Sequence, residues 1–317
     1  MIAAAIVLCA SAAGAAEIAV TAIPVALDPN NPDRISVGLL QYRGGLRLVS
    51  SDAAFGGLSG LRLSPDGTRM LAITDRAAWF QTGLRYEQGI LVGLEHADIT
   101  PIRDAAGRPL LPPRSDAESV VRVPGGIIAG YERAHRLVHY DVDAAGAPLP
   151  GGPYILPSPP ELQKAPMNGG LESLTVLADG RLLAITEELG DGDGFAGWII
   201  AGEVYEALRY AAAPGFNPTD ATTLPNGDVL VLERRFTLFE RAARIVRIQA
   251  ADIQPGARLA GTEVARIAPP LQIDNFEGID AIADPAGGVR LFLVSDDNFG
   301  VLQRTLLLQF WMPDAAP

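Results

Sequence analysis

The sequence predicts an all-β chain folded as a β-propeller, with six four-stranded blades as the first count and five as the alternative. Three observations carry this. First, five stretches share one pattern: Phe55–Arg76, Ser115–His135, Asn168–Glu188, Pro218–Arg235 and Phe276–Phe299. Each runs from a small or acidic residue through a short apolar strand, a turn built on Pro, Asp, Asn or Gly, and a second apolar strand ending at a carboxylate. Second, the opening residues Ser59, Glu118, Glu172, Asp220 and Glu277 recur at intervals of 48 to 59 residues. That suits a propeller blade with generous loops and is too long for leucine-rich or hexapeptide solenoids. Third, 34 Gly and 25 Pro are scattered along the 317 residues, a high turn content.

The remaining elements follow in order. Residues 34–50 read as strands before the first hairpin, with Gly44-Gly45 as a turn. Ile90–Leu94, Leu137–Val142, Gly197–Ile200 and Arg244–Ile248 supply outer strands, and Thr305–Phe310 is a final strand. The pieces flanking the five hairpins make a sixth blade in which both chain ends close the ring. Only Gly202–Ala213 has apolar residues at helical spacing, a short and weak helical signal. Gly151–Pro166, rich in proline, reads as a blade connection rather than a linker.

Residues 1–16 read as a secretory signal and residues 17–317 as one domain. Ile2–Leu8 is an apolar core and Ala13-Gly14-Ala15-Ala16 a small-residue cleavage site, although no Lys or Arg precedes the core. The stretch is too short to span a bilayer. The only cysteine, Cys9, lies inside it, and Leu8 before it fits a lipid-acceptor motif poorly. A periplasmic or secreted bacterial protein without disulfides follows. The net charge of −12 argues against nucleic acid and anionic membrane as partners.

Acids recur in phase. The opening position holds Glu118, Glu172, Asp220 and Glu277, with Ser59 as the exception; the closing position holds Asp75, Glu132, Glu187, Glu233 and Asp296. The innermost strand of each blade lines one channel, so equivalent acids converge there. Converging carboxylates repel, and a shared proton or a divalent cation relieves them. Ca²⁺ takes six to eight oxygen ligands in flexible geometry and suits such a ring. Zinc does not, since the mature chain has no cysteine and His96, His135 and His139 show no ligand pattern beyond the spacing of the last two. For any single acid, hydrogen bonding to loop amides or pairing with a neighbouring Arg is the competing explanation.

Other motifs are weaker. Gly57-Leu58-Ser59-Gly60-Leu61 lacks the second glycine of a nucleophile elbow. Asp191-Gly192-Asp193-Gly194 resembles part of a calcium loop without its downstream glutamate. Trp79, Phe80, Trp198 and Phe236 follow strand ends and suit either the channel mouth or packing between blades.

Several segments together resemble the bacterial phytase-like family with esterase-like activity. They are FGGLSGLRLSPDG at Phe55–Gly67 with Asp75-Arg76, NGGLESLTVLADGRLLAITEE at Asn168–Glu188, GFNPTDATTLPNGDVLVLERRF at Gly215–Phe236, and Asn275–Gly278 with Ser295–Phe299. The resemblance implies a propeller outside the cytoplasm, hydrolysing phosphoric or carboxylic esters, with acids holding Ca²⁺. The single lysine, Lys164, departs from a lysine-rich phosphate clamp and leaves arginines to serve. Two sets of roles are therefore expected. Glu118, Glu172, Asp220 and Glu277 hold the metal. Glu187, Glu233 and Asp296 extend the ligation or act as a base, and Arg76 and Arg234 stabilise developing negative charge. The partner is a small-molecule ester. The rival readings are a lactonase or carboxylesterase with one axial Ca²⁺, and a non-catalytic propeller binding a sugar, peptide or envelope partner.

Overall fold

The inner strands of five sheets meet around one axis. The computed structural model describes residues 16–149, 152–237 and 240–314, so the expected signal segment, with Cys9, lies outside the described residues except for Ala16. The chain starts with β1 (Ala16–Ile18), β2 (Thr21–Pro24), β3 (Ser36–Val37) and β4 (Leu40–Val49). The first hairpin is β5 (Leu58–Leu63) and β6 (Arg69–Thr74), followed by β7 (Ala78–Glu87) and β8 (Ile90–Pro101). Blade two is β9 (Ala117–Val123), β10 (Gly126–Tyr131), β11 (Arg136–Asp141) and β12 (Tyr154–Leu156). Blade three is β13 (Leu171–Val176), β14 (Leu182–Asp191), β15 (Gly194–Ala201) and β16 (Val204–Tyr210). Blade four starts with β17 (Asn217–Thr223), β18 (Val229–Phe236) and β19 (Arg241–Ile248). Next come β20 (Arg258–Leu259), which pairs with β16 of blade three, and β21 (Thr262–Ile267), the outer strand of blade four. The last blade contains β22 (Asn275–Ala283), β23 (Val289–Asp296) and β24 (Thr305–Met312).

Among the described residues the sheet count is five, the alternative to the six blades expected first. The physical reason lies in the flanking strands. β4 pairs with β24, and β24 with β23, so both chain ends complete the fifth hairpin's sheet instead of building a sixth. The expected closure by the two ends therefore holds in another blade. β2 extends the same sheet beyond β4, while β1 pairs with β8 of blade one, so residues 16–24 strap the last blade to the first. Gly44-Gly45 makes no turn: β4 runs through it, and the turn falls at Gly38-Leu39 between β3 and β4. The weak helical signal at Gly202–Ala213 is overridden too, because β16 pairs along its whole length with β15, from Val204 opposite Ala201 to Tyr210 opposite Phe195.

The core is distributed. Five apolar clusters each fill the seam between neighbouring blades. Phe80 sits between blades five and one, Trp79 between one and two, and Trp198 between two and three, so these aromatics are blade packing rather than mouth lining. Phe236 stays 38% exposed. No helix among the described residues is long and apolar enough to cross a membrane.

Candidate functional site

Each inner strand carries a β-bulge near its start, and the bulge aims one residue into the channel. Pairing skips Glu118 between Ala117 and Ser119, Glu172 between Leu171 and Ser173, and Glu277 between Phe276 and Gly278. In blade one it skips Ser59 and Gly60. A bulge leaves its extra residue unpaired and re-aims the side chain. In blade four the skipped residue is Thr219, not Asp220. The expected equivalence of Asp220 with the other opening acids is off by one residue, and a one-residue slip sends a side chain elsewhere. The signal was present: a fully buried apolar residue follows each bulge two positions later, at Leu61, Val120, Leu174, Ala221 and Ile279. Ala221 points to Thr219.

The same slip moves the closing position. Thr74, Tyr131, Thr186 and Ser295 lie opposite the residue before the bulge, and in blade four that partner is Glu233. Asp75, Glu132, Glu187 and Asp296 come next in their strands, and Arg234 takes this place in blade four. Blade four therefore presents a hydroxyl and a guanidinium where its neighbours present two acids.

The other acids converge. Ser59 Oγ donates to Glu118 Oε2 at 2.9 Å across the first seam. Glu132 Oε1 accepts the backbone N–H groups of Gly169 and Gly170, both at 2.5 Å, across the second. Oxygens of Asp116, Glu118 and Glu132 all lie within 4.8 Å of one another. Glu172 is within hydrogen-bonding reach of Glu132 and feels the charges of Glu187, Glu118 and Glu277. Arg234 donates to Glu187 Oε1 at 2.6 Å, to Asn275 Oδ1 at 2.5 Å and to Glu277 Oε1. Arg133 pairs with Asp116 at 2.6 Å, and the Arg76 guanidinium lies 3.3 Å above the Phe299 ring.

Two of the residues expected at this site lie elsewhere. Asp220 is fully buried and binds both terminal nitrogens of Arg62, at 3.0 and 3.1 Å, and the backbone N–H of Ile279. Glu233 faces the seam with blade three, where it accepts the Tyr210 hydroxyl at 2.6 Å and pairs with Arg244. The acidic loop at Asp191 is neutralised by Arg209 at 3.0 Å.

Arg62 escaped notice as a functional candidate. It leaves blade one, crosses the axis, and donates to the main-chain oxygens of Leu174, Ala221 and Ile279 from blades three, four and five. These are the same equivalent position in each blade. Desolvation opposes a buried guanidinium, but Asp220, Asp280 and these oxygens hold it charged. Its guanidinium closes the channel beneath the acids. A lone Arg in the apolar run Leu61-Arg62-Leu63, with two inner-strand aspartates elsewhere, was the available clue.

Crowding raises the proton affinity of the acids. Burial first, then neighbouring carboxylates, push Glu118 and Glu172 well above the usual range. Burial lifts Glu277 to about 8, although Arg234 pulls it down. Burial lifts Asp296 to about 7 and Asp75 to about 6, with help from neighbouring aspartates. Asp75 Oδ1 and Glu277 Oε2 are buried without a hydrogen-bond partner. Such orphans are rare in native proteins and call for an ion, water or function. An all-oxygen donor set drawn from several strands fits a hard cation such as Ca²⁺.

The family model for phytase-like proteins, described as esterase-like activity of phytase, matches residues 53–299. The chain belongs to the phytase-like family. No curated protein matches it. Among solved structures it is similar to the PQQ-bound aldose sugar dehydrogenase of Streptomyces coelicolor, with 14% identity and a TM-score of 0.47, covering 92% of this chain and 98% of that one. It is also similar to an endo-arabinase of Bacteroides thetaiotaomicron, with 10% identity and a TM-score of 0.46, covering 90% and 98%. A gluconolactonase of Xanthomonas campestris follows, with 10% identity and a TM-score of 0.42, covering 91% and 90%. In this phytase-like chain the matched segment runs from just before β5 to just beyond β23, so it contains every acid of the mouth.

Proposed function

We propose that this phytase-like propeller is an exported, divalent-cation-dependent esterase acting on small phosphoric esters at the acid-lined mouth of its channel. The observation that carries the reading is the convergence of Asp116, Glu118 and Glu132 within 4.8 Å, beside buried carboxylate oxygens that have no partner. Glu118, Glu132 and Asp116 would hold the ion, with Glu172 beside them. When bound, Ca²⁺ would supply positive charge that offsets an anionic ester and lowers the pKa of a coordinated water.

The chain's own residues do the rest. The Gly169 and Gly170 amides fix the Glu132 carboxylate, and the Ser59 hydroxyl fixes Glu118, so the donor set is held in place before anything binds. Asp75 lies beside them with one oxygen unengaged and a pKa near 6, which suits accepting a proton from an attacking water at neutral pH. Asp296, raised to about 7, is the second candidate base. Arg76 is exposed and Arg133 half-exposed at the rim, and both can meet the developing charge of a phosphoryl group. Arg234, engaged by Glu187 and Glu277, is poorly free to do so. Ser59 hydrogen-bonds to a carboxylate rather than a histidine, so it lacks the partner that activates a serine nucleophile.

The Arg62 guanidinium is bonded to carbonyls of blades three, four and five below the acids, so a bound ion would sit above it, among the carboxylates. The deciding experiment is turnover of generic phosphate, acetate and lactone substrates with Ca²⁺ and with EDTA. Phosphatase activity lost in EDTA and restored by Ca²⁺ supports the reading. Activity on acetate or lactone alone would redirect the substrate class, and no turnover on any substrate would leave a binding module.

A further inference from the structure

Blade four is the one blade that places a base where its neighbours place an acid. Arg234 follows Glu233 in β18 as Asp75, Glu132, Glu187 and Asp296 follow the residues paired at the other bulges. Its side chain is only 20% exposed. Its acceptors come from both neighbouring blades: Glu187 of blade three, and Asn275 and Glu277 of blade five. Glu277 also accepts from the Asn275 amide at 2.7 Å, so the cluster is hydrogen-bonded throughout, except for the orphaned Glu277 Oε2.

We propose that Arg234 is a built-in cation standing in for a second divalent ion, so that the mouth binds metal only on the side of Asp116, Glu118 and Glu132. The inference rests on the metal reading above. A divalent cation in a propeller mouth gathers carboxylate and amide oxygens from several strands. The guanidinium gathers the same kind of donors from two blades. It cannot share them with an ion, because like charges a few ångströms apart in a partly dry site repel by several times the thermal energy. On the other side, Glu118, Glu132 and Glu172 form no ion pair among the described residues, and of the acids on this side Arg133 pairs with Asp116, donating also to the Asn168 side-chain oxygen. The mouth is thus divided into a half neutralised by the protein and a half left for metal. Arg is suited to this, since it stays charged when buried and its planar fork engages several oxygens.

The test counts ions. Equilibrium dialysis of the metal-stripped full chain against Ca²⁺, with elemental analysis, should find one tightly held ion per chain in the wild type. Arg234→Gln frees the oxygens of Glu187 and Glu277 and should hold two. Arg234→Lys keeps the charge and should hold one. Glu118→Gln should lower the wild-type count to none and the Arg234→Gln count to one. Two ions in the wild type, or one in a folded Arg234→Gln variant, overturn the inference and leave the metal reading standing. No ion in the wild type overturns both. If Arg234→Gln fails to fold without metal, refolding in millimolar Ca²⁺ should rescue it, and a variant that Ca²⁺ does not rescue counts against the inference.

Discussion

At the residue scale the site is a matter of which oxygens remain unsatisfied. Glu118, Glu132 and Glu172 are crowded together with few donors, whereas Glu187, Glu233 and Asp220 each have an arginine. Replacing Glu118 by Gln keeps the shape and removes the charge, so it should lower Ca²⁺ affinity and kcat by at least 10–100-fold, roughly the loss that even outer ligand partners give. Ser59→Ala removes one hydrogen bond to Glu118 and should keep most activity; an inactive Ser59→Ala with a near-normal Glu118→Gln would revive a covalent serine mechanism. Gly57 has φ +60°, and a Cβ there would run into the Asp75 carboxylate and the Phe299 ring. Gly57→Ala should cost about 1–3 kcal/mol in a denaturant melt and disturb Asp75. The raised acids also set a pH dependence. Asp75, Asp296 and Glu277 have folded pKa values of about 6, 7 and 8 against unfolded values near 4, so the folded state holds the extra protons. Their contribution is complete at pH values below the unfolded pKa and is lost as pH rises through 6 to 8. The melting temperature of the metal-free protein should therefore fall between pH 5 and 8.5, and saturating Ca²⁺ should flatten the fall. A metal-free melting temperature that stays level or rises across that range would contradict this.

At the scale of elements, the bulges and the Arg62 layer set an acid-lined end of the channel apart from the rest of it. The acids are aimed by a pairing irregularity repeated at each inner strand, not by unusual loops. Below them, Arg62 ties β5 to β13, β17 and β22 in a buried site. Removing one partner of a buried pair leaves an uncompensated charge, which costs about 3–5 kcal/mol, while replacing both with apolar residues is often close to neutral. Arg62→Leu should therefore be strongly destabilising, and Arg62→Leu with Asp220→Leu should recover much of the loss. A double variant no better than the single one would show that the carbonyl bonds matter more than the charge pair. These residues were legible as types and not as roles. Asp220 stood out as an acid in phase, yet its true register depended on where the bulge falls. Nothing in its own strand assigns Arg62 a role; its partners come from three other blades.

At the scale of the whole molecule, closure and metal binding are global properties. β24 is held between β4 and β23, so the ends of the chain share one sheet. Deleting residues 305–317 should abolish the cooperative melt instead of fraying one edge, because it takes Leu306, Leu308 and Phe310 out of the core and leaves β4 and β23 without the strand between them. Binding only to the folded state adds RT ln(1 + [L]/Kd), about 2.7 kcal/mol at a hundredfold excess over Kd. Millimolar Ca²⁺ should raise the melting temperature and EDTA should reverse it; a melt insensitive to both would remove the ion from the proposal. The repeated hairpins, the turn chemistry and the recurrent acids are local patterns, so the sequence by itself determined the propeller, its inner strands and the acid character of one channel end. The blade count, the one-residue slip that puts Thr219 and Arg234 at the mouth, and the Arg62 closure were decided only by the tertiary structure. Each depends on pairing register or on contacts between blades far apart in the chain, and a strand's own period of two cannot say which neighbour its side chains will meet.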